Sequence, residues 1–313
     1  MIIKAKYPKV GNEYVGFQGY GSQGNRNSTI TNEDTLRTLV TVSDLASITD
    51  FDFYTAVDLW FTNQALAEST YGLIGNWNVS AVTNMSYAFS PSRNGGSVKA
   101  TFNEDISAWD TSSVGDMSEM FFNAESFNQP LTFDTSNVYN MDYMFYQAES
   151  FNQPLNWDTS SVNSMSSMFR GASVFNQPLN WDVSSVTSMR YMFYQAIAFN
   201  QPLNWDVSSV TSMKYMFYQA TLFNQPLNWD VSSITDMRYM FQSVNLSTVN
   251  YDLILVYWEA YLQTTFPSGV GYTKNISISF GNTQYTSVSS AETARASLIS
   301  NFGWTINDGG STM

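Results

Sequence analysis

The sequence predicts an α/β repeat solenoid: a right-handed stack of coils, each with one short parallel strand and one short helical turn, closed by a cap at both ends. The first observation behind this is a fixed step. Phe-Asn-Gln-Pro-Leu begins at Phe127, Phe151, Phe175, Phe199 and Phe223, always 24 residues apart. A constant period in the 20–50 range marks stacked-repeat architectures, in which each unit touches mainly its neighbours. The second observation is that two periodicities share each unit. In Pro202-Leu203-Asn204-Trp205-Asp206, Leu and Trp alternate with polar residues, as in a strand with one buried face. In the segment from Met213 to Ala220, the apolar residues Met213, Met216, Phe217 and Ala220 fall on one face of a short helix or helical turn.

The strand begins with proline, a position where the missing N–H costs the fewest ladder bonds. Between strand and turn, Asp206 and Ser208-Ser209 are turn and cap residues whose side chains can bond backbone N–H groups. The register holds in columns. Trp109, Phe133, Trp157, Trp181, Trp205 and Trp229 form one, the Met117 to Met237 series a second, and the Met120 to Met240 series a third, followed directly by Phe121 to Phe241. An earlier unit carries Trp77, Met85 and Phe89, with Ala88 in place of the second methionine, and Pro91 to Gly96 supplies an inserted loop before Trp109. Seven units therefore run from about Ile74 to Ser243. Parallel strands stacked at roughly 4.8 Å would give a spine of roughly 30–35 Å. One unit cannot bury Trp, Leu, two Met and Phe alone, so these columns read as a continuous core, with Met filling irregular gaps. The Asn128, Asn152, Asn176, Asn200, Asn224 column and the adjoining Gln129 to Gln225 column read as amide ladders from coil to coil.

Four segments follow. Residues 1–36, rich in Gly, Asn, Ser and Gln, read as a flexible or partner-ordered N-terminal arm. Residues 37–73 read as a helical N-terminal cap, with Val57, Trp60, Phe61 and Leu66 as its apolar residues. Residues 74–243 are the seven-unit array. Residues 244–313 read as an α/β C-terminal cap: an amphipathic helix over 251–262, a strand over 276–280 and a second helix over 291–302. An array needs such caps because its end coils otherwise expose core.

The run Trp-Asp-Val-Ser-Ser-Val-Thr-Ser-Met-Arg-Tyr-Met-Phe-Tyr-Gln-Ala starting at Trp181 resembles the BspA-like leucine-rich repeat surface proteins. The likeness covers about residues 54–310, with an entry segment over 56–89, carried by Ala56 to Phe61, Thr70 to Gly72 and Trp77 to Ser80, and a closing segment at Phe302 to Gly310. It implies a leucine-rich-repeat-like coil stack and roles in cell-surface adhesion, host-protein binding and co-aggregation. It brings no catalytic residues.

Composition narrows the chemistry. The chain has 313 residues, a formal charge of −13 and only 12% charged residues. This disfavours nucleic acid, whose phosphates require Lys and Arg, and a polybasic membrane contact. No apolar run is long enough to span a bilayer, so membrane insertion is not expected. There is no cysteine and no histidine, which removes disulfides, thiolate nucleophiles, Ser-His-Asp triads and His- or Cys-ligated metals. The start of the sequence does not read as a signal peptide, because charged residues stand where an apolar h-region would be. A mature piece, an intracellular protein and a phage virion protein released on lysis are the alternatives, and the last is favoured.

The expected function is non-enzymatic recognition or adhesion at an extracellular surface or on a phage virion. The partner would be a host or cell-surface protein or glycan, with the N-terminal arm docking on a virion protein. A purely structural virion or scaffold component is the alternative, and a carbohydrate-active enzyme using paired carboxylates a minor one. If the methionine face is core, Tyr143, Tyr191, Tyr215, Tyr239 and Tyr146, Tyr194, Tyr218 point outward at a regular pitch. Tyrosine offers large amphipathic contact area at low entropic cost. Asn156, Asn180, Asn204 and Asn228 line the open strand face, and together these eleven residues are the candidate binding surface. No cofactor is expected. The Asp134, Asp158, Asp182, Asp206, Asp230 column reads as turn capping, with Ca2+ as the secondary reading.

Overall fold

The computed structural model describes residues 47–93 and 96–312. The arm at 1–36, the first part of the 37–73 cap and two residues of the inserted loop (Asn94 and Gly95) lie outside the described residues. In chain order the elements are α1 (Asp50–Thr62), α2 (Gln64–Tyr71), 3-10 turns at Ile74–Asn76 and Gly96–Thr101, α3 (Thr248–Thr265), a 3-10 turn at Pro267–Gly269, β1 (Ser277–Ser279), α4 (Ser290–Ser300) and β2 (Thr305–Asn307). β1 and β2 pair in parallel, Ile278 opposite Ile306.

The repeated units differ from expectation in their local backbone. The Met213 to Ala220 segment is not a helical turn. Tyr215 and Gln219 sit at φ 59° and 58°, and the same two columns are left-handed in the other units, as at Tyr191 (59°) and Gln195 (57°). An α-helix admits no such residues. The left-handed steps rotate alternate N–H groups outward. Met189, Tyr191, Phe193 and Gln195 donate to the carbonyls of Ser212, Lys214, Met216 and Tyr218 in the next unit, while Met192, Tyr194 and Ala196 bond three residues back within their own. A left-handed non-glycine residue costs about 1–2 kcal/mol. Here the bonds to the next unit, at 2.8–3.0 Å, offset that strain. At Gly171 the column carries the residue that adopts φ +74° without a Cβ clash.

The Pro202 to Asp206 run alternates as expected, with Leu203 and Trp205 buried and Asn204 and Asp206 exposed, but among the described residues it forms no strand and no bridge. The parallel bridges lie instead on the residue before each first methionine: Asn84, Asp116, Asn140, Ser164, Ser188, Ser212 and Asp236 in one row. The spacing between units gives the reason. Tyr191 and Tyr215 rings stack 4.9 Å apart, Phe193 and Phe217 5.5 Å, Phe199 and Phe223 6.2 Å, and Trp205 and Trp229 6.3 Å. Units close enough for backbone bridges on the tyrosine side, where strand spacing is 4.7–4.9 Å, are too far apart on the tryptophan side. The stack therefore bends, with the tyrosine side inside the bend.

Side chains bridge the wide side. The Asn152 Oδ1 accepts from the Asn176 N–H (2.9 Å) and the Gln177 amide (3.1 Å), and the pattern recurs at Asn128, Asn176 and Asn200. Each buried tryptophan N–H from Trp157 to Trp229 donates to the leucine carbonyl of the unit before, 3.0 Å for Trp205 to Leu179. The leucine, tryptophan, methionine and phenylalanine columns are buried, as are Ala88, Ile106 and Phe133 where they replace column residues, and a large apolar side chain so buried contributes about 1.5–3 kcal/mol.

Both ends are covered by imitation of a unit. At the entry, Asp50 accepts from the Thr83 N–H (2.7 Å) and hydroxyl (2.6 Å), and Tyr54 donates to the Ser86 carbonyl. Phe53 meets Trp109, and Trp60 meets Trp77 edge-on. Lys99 is fully buried against Asp58, 2.9 Å away. Leu66, expected in this core, is instead about half exposed on α2. At the exit, Ser247 and Asn250 at the start of α3 take the places of the next Asn and Gln, donating to Asn224 at 2.8 and 2.9 Å. Phe280 beside β1 stacks on Phe241 at 5.0 Å, as Phe241 does on Phe217. α3 and α4 close over this end, with Trp258 and Leu298 buried.

Candidate functional site

The tyrosines form two stacked columns on the inside of the bend. Tyr191, Tyr215 and Tyr239 stack at 4.9 and 4.8 Å, and Tyr194 stacks on Tyr218 at 4.8 Å. Tyr143 and Tyr146 form a shorter block with Phe122, 4.5 Å from Tyr146. Tyr143 and Tyr239 are exposed and the other five half-buried. The stacking has a chemical consequence. Ring faces are taken up by neighbouring rings, so what remains for a partner is a row of ring edges and hydroxyls, able to donate and accept.

The two blocks are separated by one unit, where Ser167 and Arg170 replace the two tyrosines. The Arg170 guanidinium fills this gap, 4.5 Å from the Tyr194 ring centroid, 5.2 Å from Tyr146 and 5.3 Å from Tyr191. Its Nε and the Ser167 hydroxyl are buried without a hydrogen-bond partner. Ser167 is 1% exposed.

Charge is sorted along the same face. The column after the first methionine reads Asp142, Ser166, Arg190, Lys214, Arg238. Arg190 and Lys214 lie over Tyr191 and Tyr215 at 6.0 and 5.3 Å. Arg238 instead clasps Asp236 with two bonds of 2.9 Å. At the entry end, Asp142 accepts from the Ser164 hydroxyl and the Ser166 N–H, both 2.6 Å, and burial pushes its carboxyl above the usual range. Burial likewise raises Glu119, and its hydrogen bond with Tyr87 pushes that phenol up to about 12.

Asn156, Asn180, Asn204 and Asn228 are exposed, but the structure does not bring them to the tyrosines. The buried Phe145 of the tyrosine run meets the buried Trp157 of the asparagine run across the interior, 6.1 Å between rings. The exposed residues of the two runs therefore point to opposite sides. The aspartates beside these asparagines form turns: Asp158 Oδ1 accepts from the Ser160 N–H (3.0 Å) and hydroxyl (2.7 Å). The serine partners hold the Asp110, Asp158, Asp182 and Asp206 carboxyls below the usual range. Among the described residues, no three or more acidic side chains gather into a potential metal site.

The cations of this face are what the sequence reading missed. A signal for them was present, since Arg190, Lys214 and Arg238 recur at the 24-residue step. The apolar columns drew attention first because they repeat in every unit.

Two overlapping segments, residues 55–179 and 155–253, match the family described as Mycoplasma protein of unknown function, DUF285. Together they span more than half of the chain, which belongs to this family of repeat proteins. No curated protein and no solved structure matches. No helix among the described residues is long and apolar enough to cross a membrane.

Proposed function

We propose that this chain is a non-enzymatic recognition protein of the BspA-like surface type, a repeat solenoid that attaches to a glycan or protein surface through its tyrosine face. The extracellular surface, of a cell or of a phage particle, is where such a protein would act. One observation carries the reading: seven tyrosines from four units, none of them buried, stand on the inside of a bend. Tyrosine edges at a fixed pitch suit a partner that is itself extended and polar.

A second reading is a structural component of a virion or scaffold, and one specific observation favours it. The tyrosine faces stack on one another at 4.8–4.9 Å, as they would if they only shielded the core. The two readings separate on one experiment. Purified full-length protein is applied to a glycan array and to a panel of bacterial and animal cells, beside the Tyr194→Ala/Tyr218→Ala variant. Recognition predicts saturable binding that the variant loses by about tenfold or more while keeping its fold, since aromatic anchors commonly carry 2 kcal/mol or more. Absence of binding by the wild-type chain leaves the structural reading.

A further inference from the structure

We propose that the Arg170, Arg190 and Lys214 row binds a linear acidic polysaccharide laid along the inside of the bend, a refinement that rests on the recognition reading above. The chain carries 26 acidic against 13 basic residues. Yet the described cations divide cleanly. Arg93 and Lys99 are paired with Asp58, Arg295 with Asp308, and Lys274 with the Ser232 carbonyl, all serving the ends. The others, Arg170, Arg190, Lys214 and Arg238, stand on the tyrosine face.

Of these four, Arg238 alone has a carboxylate within salt-bridge distance among the described residues. Arg190 and Lys214 make neither an ion pair nor a side-chain hydrogen bond there. Lys214 only helps, without a salt bridge, to hold the Asp236 carboxyl below its usual range, and Arg190 has no carboxylate in ion-pair contact among the described residues, so both charges remain available to an anionic ligand. Arg170 adds an independent sign. Its Nε and the Ser167 hydroxyl are buried and unpaired, a state that native structures rarely leave uncompensated.

The form of the row selects the ligand. Arg190 and Lys214 recur once per unit, where the adjoining tyrosines are 4.9 Å apart, each cation with a phenol beside it. A surface that repeats by translation matches a polymer that does the same. Carboxylate or sulfate groups would meet the cations while sugar hydroxyls meet the tyrosine hydroxyls. An acidic protein surface has no such repeat. The sign change at Asp142 would confine the polymer to the C-terminal half of the face.

The test uses the full chain immobilised and challenged with hyaluronate (carboxylate only), chondroitin sulfate (carboxylate and sulfate) and dextran (neutral). The expected result is binding of one or both acidic polymers, none of dextran, and weakening with added salt as exposed charges are screened. Arg190→Gln/Lys214→Gln should weaken binding by about tenfold or more, and Arg238→Gln by clearly less, since Asp236 already offsets that charge. The double variant breaks no ion pair or side-chain hydrogen bond and gives up only the two contacts with tyrosine rings, so a cooperative thermal unfolding curve close to wild type verifies its fold. Hyaluronate alone assigns carboxylate recognition, and chondroitin sulfate alone assigns sulfate. Equal retention of dextran, or acidic-polymer binding untouched by the double variant, overturns the inference. Cell or neutral-glycan binding that the double variant retains overturns it while sparing the recognition reading. A wild-type chain that binds no cell and no glycan overturns both.

Discussion

Asp142 shows how much one position can differ from its column. Two to four units later the equivalent residue is a cation, Arg190, Lys214 or Arg238, whereas Asp142 is turned onto Ser164 and Ser166. Burial raises its folded pKa above the unfolded value near 3.9. Stability linked to this group is therefore complete below that unfolded value and is lost as pH rises through the raised folded one. Asp142→Asn keeps an oxygen that accepts both bonds and removes the charge. It should raise the melting temperature by a few degrees at pH 7 and leave it unchanged near pH 3. Calorimetry at the two pH values checks this, and a variant less stable at pH 7 would contradict it. The turn aspartates have the opposite sign. Their lowered carboxyls add stability above about pH 4 that fades as pH falls through the folded value.

The unit is held to its neighbours by different bonds on its two sides. Backbone bridges serve the narrow tyrosine side, and side-chain amides serve the wide side. Removing one amide should therefore be felt by the whole wide side. Asn176→Ala strips the acceptor from the Asn200 N–H (2.9 Å) and one of two from the Gln201 amide (3.1 Å), which keeps the Asn176 carbonyl. Leaving such groups unpaired costs about 1–3 kcal/mol. Asn180→Ala, four residues on and exposed with no side-chain bond in the structure, should stay within about 0.5 kcal/mol of wild type. Urea unfolding of the two variants makes the comparison, and equal effects would mean that the ladder does not bear on stability.

At the scale of the molecule, the caps join an array whose interior units are interchangeable in register. Stacked units bonded mainly to their neighbours should tolerate loss of one whole period and no fraction of it. Deleting residues 175–198 joins Val174 to Phe199 and preserves every column. This chain should fold cooperatively, with a denaturant m-value reduced in proportion to the surface removed. Deleting residues 175–186 puts a methionine run where a Phe-Asn-Gln-Pro-Leu run belongs and should abolish cooperative unfolding. Circular dichroism of both deletions decides it, and a folded half-period deletion would contradict the register.

The core was legible because burial follows residue type and the period repeats it: the Phe, Trp, Met and Leu columns are inside the structure. The amide ladder was legible too, since an identical polar residue at the same place in each unit has its own copy as nearest partner. Apolar spacing alone could not specify the backbone path. Positions 0, 3, 4 and 7 fit a helical turn, but the tertiary structure chose left-handed residues at Tyr215 and Gln219 because these turn alternate N–H groups to the next unit. Nor did sequence place the bridges, because alternation marks a buried face whether or not a neighbour lies within hydrogen-bonding reach. The difference in spacing between tyrosine and tryptophan sides arises only on stacking, when side chains of unequal size set the gap. Packing of Phe145 against Trp157 across the interior put the tyrosines and their neighbouring cations on one side and the asparagines on the other, and the difference in spacing made the tyrosine side the inside of a bend. The sequence by itself determined which residues recur, and the packing decided which of them share a surface.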